Sequence, residues 1–215
     1  MEWAVWRPLY LQIIDDLGYD IQADVESAEK LSKIVENKRI PNFCTIVEKL
    51  GQHVSIIGAS HSLENDIGRL SAEETIISAG SATARLIKIG VMPDVLVTDL
   101  DGDIEYEIEA IENGALAFIH AHGDNMSVIK TVIPKLTTPF VPTVQCKPFG
   151  NVYNFGGFTD GDRSVLIALH FGVEHIRTIA WDLSRPYPKE GRDPLTKLKK
   201  LNWASKILLP YIDKI

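Results

Sequence analysis

The stretch DVLVTDLDGD, residues 94–103, decides the architecture. Its first half is a short run of β-branched and apolar residues, the composition of a strand buried on both faces. Its second half turns abruptly to carboxylates and a glycine, so the strand ends in a polar loop. The same grammar recurs along the chain. The apolar runs VSIIG (54–58), TIISA (75–79), LAFIH (116–120), FVPTVQ (140–145) and IRTIAW (176–181) are separated mostly by amphipathic segments at 63–70, 82–90, 104–113, 126–135 and 162–172. This alternation predicts an α/β fold: a mainly parallel, Rossmann-like sheet with helices on both faces. The first fifty residues carry helical spacing only. Residues 3–17 form one segment around Pro8. In a second, capped by Asp24, Val25, Ala28, Leu31, Ile34 and Val35 recur; a third runs from Pro41 to Leu50 and stops at Gly51. The expectation is an N-terminal helical extension, 1–50, packed on an α/β domain, 51–215, whose tail (193–212) is a last amphipathic helix or pair of helices.

Composition narrows the function classes. The chain has 215 residues, 45 % hydrophobic and 24 % charged, which is ordinary globular composition. A chain of this length buries about 70 % of its unfolded surface and needs no staples. Lys and Arg total 22 against 29 Asp and Glu, a net of −7, which argues against a nucleic-acid partner. Cys44 and Cys146 are too far apart in sequence for a CxxC pair, so neither a disulfide framework nor a Cys-rich zinc site is expected. No run of about 18 apolar residues occurs, and MEWAVWRPLYLQIIDDLG lacks a basic leader. A soluble cytoplasmic protein without a membrane partner is the expectation.

The acids have a pattern. Open parallel sheets bind ligands beyond the carboxyl ends of their strands. There this sequence places Gly58-Ala59-Ser60-His61-Ser62, Gly80-Ser81, Asp99-Leu100-Asp101-Gly102-Asp103, Ala121-His122-Gly123-Asp124-Asn125 and Asp182. Asp99 and Asp101 point to one side of an extended chain. Converging carboxylates repel unless a cation joins them, and Mg²⁺ takes a few carboxylate oxygens and fills its shell with water and phosphate. Asp124 is expected to reach the same cation. The alternative is a solvated turn in which Asp103 caps the next helix. His120 and His122 have i, i+2 spacing, yet no third ligand supports zinc. His122 is expected near phosphate or substrate, His120 in a structural role.

FGNVYNFGGFTDGDR, 149–163, is a long loop with four glycines that runs into a helix. Loops of this kind in compact domains are usually functional. Gly156 and Gly157 permit close backbone approach, and Tyr153, Phe155 and Phe158 offer faces for a flat heterocycle. Thr159, Asp160 and Asp162 stand near a helix N-terminus. Asp160 or Asp162 suits an amino-pyrimidinone edge, and Arg163 suits either phosphate or a neighbouring Asp. An ordinary capped helix with a packed aromatic loop is the competing reading. P-loop, GxGxxG and GxSxG signatures are absent.

Taken together, GASHSLENDI (58–67), MPDVLVTDLDGD (92–103), AHGDN (121–125) and NFGGFTDGDR (154–163) resemble the archaeal-type 6-hydroxymethyl-7,8-dihydropterin diphosphokinase family. KLKKLNWASK (197–206) also looks familial. That family is related in fold to the thiamine pyrophosphokinase catalytic domain. The resemblance implies Mg²⁺-dependent transfer of diphosphate from ATP to the hydroxymethyl group of a reduced pterin, with release of AMP, on the way to methanopterin- or folate-type cofactors. It implies that Asp99, Asp101 and Asp124 are the catalytic and metal-binding acids. Gly58, Ala59, Ser60, Ser62, Gly80, Ser81 and His122 would meet the nucleotide. Asn154, Phe155, Gly156, Gly157, Thr159, Asp160, Asp162 and Arg163 would meet the substrate. Two segments depart from the family's form: GASHSL stands for a Gly-Pro-Ser-Leu loop, and AGSA (79–82) for Ala-Asp-Gly-Ala. Other readings are a thiamine diphosphokinase, a non-catalytic ATP-binding module, and a sugar-nucleotide transferase using Asp99 and Asp101 as a DxD-like clamp. The expected partners are ATP and a reduced pterin, with homo-oligomerisation left open.

Overall fold

The apolar runs fold as strands β1 (His53–Ile57), β2 (Thr75–Ala79), β3 (Val95–Thr98), β4 (Leu116–Ala121), β5 (Phe140–Val144) and β6 (His175–Ile179). They pair in parallel throughout, in the order β5-β4-β3-β2-β1-β6. The structure, a computed structural model, describes residues 1–188, 191 and 193–215. Pro142 sits within β5, where an edge strand tolerates a missing N–H. Its carbonyl still accepts from the Tyr153 N–H of the loop running along that edge.

Both faces are covered. Helices α4 (Leu63–Asp66), α5 (Ala82–Lys88), α6 (Ile104–Glu112) and α7 (Met126–Val132) link the strands from β1 to β5 and pack on one face. Helix α8 (Asp160–His170) carries the chain back across the sheet to β6 and packs on the other face. Two directions of travel put helices on opposite faces when crossovers are right-handed. Connections diverge between β1 and β6, the topological switch point of the sheet.

The N-terminal helices divide between the faces. Helix α2 (Ile21–Ile34) buries Ala28 and Leu31 beside α7 and the ends of β4 and β5. Helix α3 (Phe43–Leu50) buries Ile46 and Leu50 on the α8 side. Helix α1 (Trp3–Leu17) forms a further layer with α9 (Pro194–Leu208) over α8, through Trp6, Tyr10, Ile13, Leu166, Trp203 and Ile207. It runs through Pro8, forfeiting one ladder hydrogen bond. Among the described residues no helix is long and apolar enough to cross a membrane.

Several boundaries differ from expectation, three of them for a plain local reason. Asp20, not Asp24, caps α2, accepting from the Gln22 N–H at 2.9 Å, while Asp24 is buried inside the helix. The segment 126–135 becomes α7 plus a 3₁₀ turn at Ile133–Lys135, because Pro134 cannot continue the α-helical ladder. Helix α8 starts at Asp160, two residues early, since Thr159 serves as its N-cap.

Candidate active site

A cavity of about 900 Å³ lies across the carboxyl ends of all six strands. Its floor includes Gly58, Ala59 and Ser60 after β1, Ala79 and Ser81 at β2, and Asp99 and Asp101 after β3. His120, His122, Gly123 and Asp124 line it at β4, Gln145 after β5, and Ala180, Trp181 and Asp182 after β6. The N-terminus of α8 supplies Thr159, Asp160, Gly161 and Arg163.

Two turns carry left-handed backbone at non-glycine residues, Leu100 (φ 59°) and Ala180 (φ 57°), and both lie at this floor. Such conformations cost of order 1–3 kcal/mol and gather where the chain needs a special geometry. Leu100 is buried, its N–H donating to Thr98 Oγ1 at 2.8 Å, and it holds Asp99 and Asp101 beside the cavity on either side of itself. Asp99 Oδ1 accepts from the Asp101 N–H at 3.2 Å, and Asp99 Oδ2 lies 3.3 Å from His122 Nε2. Burial opposes ionisation of Asp99, but His122, Asp101 and Arg163 together hold its carboxyl well below the usual range. Asp160 pairs with Arg163 Nη1 at 2.9 Å. Its carboxyl is nonetheless pushed well above the ordinary value, by burial first and then by the Asp99 charge. Carboxylates with pKa values driven apart mark a crowded acidic site that a cation would relieve.

The expected acidic trio is only partly assembled. Asp124 lines the rim and is exposed, and among the described residues no three His, Cys, Asp or Glu side chains converge as ligands for one ion. Asp99 and Asp101 therefore stand as a pair. An all-oxygen pair with no thiolate suits Mg²⁺, which needs one or two carboxylates when phosphates complete its shell, and it does not suit zinc.

The glycine-serine loops also differ from expectation. The Gly58 and Ser60 N–H groups donate to the Ile179 and Ala180 carbonyls, and the Gly80 N–H donates to Val97. Those donors stitch adjacent strand ends together, so they are spent within the sheet. Ser62 does not line the cavity; its hydroxyl donates to Asp66 at 2.6 Å. Gly80 is needed for space, since a Cβ there would run into the Asp160 carboxylate.

Within 154–163, only Phe158 through Gly161 and Arg163 reach the cavity. Asn154 ties the loop to the Gln145 and Cys146 carbonyls at 2.9 and 2.7 Å. Phe155 packs in the core against Phe118 and Phe171. Tyr153 is exposed outside the cavity. Gly156 (φ 81°) lies against Leu166 and Met1, and at Gly157 (φ 88°) a Cβ would stand 2.5 Å from Arg163 Cα. These glycines place the start of α8 and touch no ligand space. Asp162 is wholly buried as the return arm of a capping box, accepting from the Phe158 and Thr159 N–H groups at 2.8 and 2.7 Å. Asp162→Ala is expected to lower stability by about 2 kcal/mol, read from a urea titration, with Asp162→Asn recovering part of the loss.

Several lining residues carried no motif. Tyr19 and Asp20 come from the α1–α2 turn, Ala23 and Asp24 from the first turn of α2, Arg85 and Lys88 from α5, and Lys200 from α9. Arg85 donates to the Ala59 and Ser60 carbonyls at 3.1 and 2.8 Å, pairs with Glu64 and lies 4.4 Å from the Tyr187 ring. Asn125 donates to the Asp99 and His120 carbonyls, both at 2.7 Å, and locks the ends of β3 and β4 together. His120 is buried, its Nδ1 3.0 Å from Thr143 Oγ1, and its Nε2 has no hydrogen-bond partner among the described residues. Burial, with Arg163 nearby, holds it neutral, its pKa well below the ordinary imidazole value.

Residues 27–187 match the family model described as "6-hydroxymethylpterin diphosphokinase MptE-like". A protein of Methanothermobacter thermautotrophicus named 6-hydroxymethyl-7,8-dihydropterin pyrophosphokinase is 36 % identical over 97 % of this chain and 94 % of its own length. Proteins of the same name from Pyrococcus furiosus and Methanocaldococcus jannaschii are 37 % and 36 % identical, over 97 % and 100 % of this chain. These alignments cover 93 % and 98 % of the two relatives.

Proposed function

Because the chain belongs to the MptE-like 6-hydroxymethylpterin diphosphokinase family, we propose that it transfers diphosphate from ATP to the hydroxymethyl group of 6-hydroxymethyl-7,8-dihydropterin and releases AMP. The observation that carries this reading is the Asp99–Leu100–Asp101 turn at the centre of a cavity of about 900 Å³, a volume at the upper end for ligand sites. The acceptor hydroxyl attacks the β-phosphorus in line; the new O–P bond replaces the bond to the α-phosphate bridging oxygen, and AMP leaves.

Phosphoryl-group transfer asks the protein chiefly for positioning and charge stabilisation. Asp99 and Asp101 would hold Mg²⁺, which when bound neutralises phosphate charge and polarises the transferred group. Arg163, fixed by Asp160, faces the phosphates from the start of α8. Ala59, Ser60 and Ser81 line the path between the carboxylates and the nucleotide, with Gly58 keeping that path open, while His122 stands beside Asp99 at the end of β4. Thr159 and Asp160 complete the wall opposite. Two free cysteines support a cytoplasmic setting, where ATP is available.

The test incubates the protein with ATP, Mg²⁺ and the dihydropterin and identifies the products. AMP formed in equal amount to pterin diphosphate is expected. ADP, turnover independent of the pterin, or a preference for thiamine as acceptor would overturn the assignment.

A further inference from the structure

Resting on the diphosphokinase reading, the sheet order divides the cavity about its carboxylate centre. On one side of β3 lie β2, β1 and β6; on the other lie β4 and β5. The two sides differ in chemistry. Beyond β2, β1 and β6 the lining includes Arg185, Arg85 (paired with Glu64), Lys88 (paired with Asp103) and one acid, Asp182, together with the small residues Gly58, Ala59, Ser60 and Ser81. Beyond β4 and β5 it carries acids, Asp20, Asp24 and Asp124, and the aromatic pair Tyr19–Phe158, whose centroids are 6.3 Å apart and 22° from parallel. The ammonium of Lys200 rests 5.1 Å from the Tyr19 centroid, a cation engaged with the rings. A polyphosphate is repelled by the acidic side and accommodated by the basic one. An uncharged flat heterocycle with amino and amide-like groups has the opposite preference.

The floor of the acidic side holds His120, whose buried Nε2 has no hydrogen-bond partner among the described residues. Gln145 borders the ring and directs its own Nε2 to Asp24 at 2.7 Å, so no well-formed hydrogen bond reaches His120 Nε2 among the described residues. An imidazole nitrogen left unpaired at the bottom of a ligand cavity is a polar group awaiting a partner. We propose that the acceptor heterocycle sits in the lobe that the α1–α2 turn closes over the ends of β4 and β5. There the Tyr19–Phe158 pair packs against the ring system, and His120 Nε2 makes a hydrogen bond that selects it. The N-terminal helices are then part of the acceptor site, and the nucleotide occupies the β1–β2–β6 side.

The experiment splits the two Michaelis constants in the full-length protein. His120→Phe, which fills the space without a polar atom, raises the acceptor KM about tenfold or more, as expected when a buried hydrogen bond to a ligand is removed. The ATP KM stays within about twofold, and His120→Asn recovers part of the acceptor affinity. Tyr19→Ala, at a half-exposed position, gives the same split and guards against a folding defect at His120. A rise in ATP KM with unchanged acceptor KM, or no change from either variant, overturns the allocation. Equilibrium titration of the fluorescent dihydropterin without nucleotide separates this failure from failure of the parent reading. A wild-type protein that binds the pterin but makes no AMP refutes the reaction and leaves the subsite to be judged by the variants' binding. A wild-type protein that does not bind it refutes both.

Discussion

Asp101→Asn is expected to reduce AMP release by about 10³-fold while the protein stays folded, and Asp99→Asn by at least as much. The substitution keeps size and one acceptor oxygen, so the turn survives. At position 99 the Oδ1 that accepts from the Asp101 N–H is retained. What disappears is negative charge where a polyphosphate needs a cation beside it. Melting temperatures within a few degrees of wild type would show that the loss is chemical. The decline should be steepest at low Mg²⁺ and partly relieved at high Mg²⁺, because a site with one carboxylate binds the ion more weakly. Asp124→Asn is the control. Asp124 is exposed on the rim and not gathered with the other two, so its loss should cost less than about tenfold. Equal losses at all three positions would show that the cation lies farther toward β4 than the pair suggests. Near-normal turnover in Asp101→Asn would remove the β3 turn from the reaction.

The sheet was legible because its evidence is local. Five of the six apolar runs are largely buried on both faces, β6 on one, and all but the β5 run lead into small or acidic residues, so period and composition point the same way. The carboxylate pair was legible for the same reason: Asp99 and Asp101 share one turn. Side-chain use within 154–163 was not legible. Asp160 and Asp162 flank Gly161 and look alike in sequence, yet one pairs with Arg163 in the cavity while the other caps the helix. Only the φ angles of Gly156 and Gly157 and the register of α8 separate them. The loops after β1 and β2 misled in another way. A glycine or serine N–H at a strand end suits a phosphate or a neighbouring strand equally well, and here Ile179, Ala180 and Val97 take those donors. His120 was hidden by its setting in an apolar run, where a satisfied core histidine is the ordinary outcome. The N-terminal contribution had one readable signal. Asp24 shares a helical face with Ala28 and Leu31, and a carboxylate on an apolar stripe must have partners.

Those partners make Asp24→Ala a strongly destabilising substitution. Asp24 Oδ2 accepts from the Tyr10 hydroxyl and from Gln145 Nε2, both at 2.7 Å, and Oδ1 accepts from the Gly123 N–H at 2.9 Å. One buried carboxylate thus joins α1, α2, the loop after β4 and the end of β5. Its charge is offset by three donors, and it in turn raises the Tyr10 pKa, although burial is the larger cause. Alanine would strand all three donors. A buried unsatisfied group costs about 1–3 kcal/mol, so with some water entering the gap the loss should be about 3–5 kcal/mol, a large part of a typical total of about 5–15 kcal/mol. For a chain of this size that corresponds to a fall in Tm of about 10 °C or more. Tyr10→Phe, which removes one donor with its bond, should cost only about 1 kcal/mol, and it should cost nothing further on the Asp24→Ala background. That non-additivity is the diagnostic, because a general packing defect would make the two losses add. If the helical pair also closes the acceptor lobe, the folded fraction of Asp24→Ala should show a raised acceptor KM, since Gly123 and Gln145 lose the group that fixes them. A variant that melts like wild type would mean that water already serves those three donors, and that the N-terminal helices are held to the sheet by apolar packing alone.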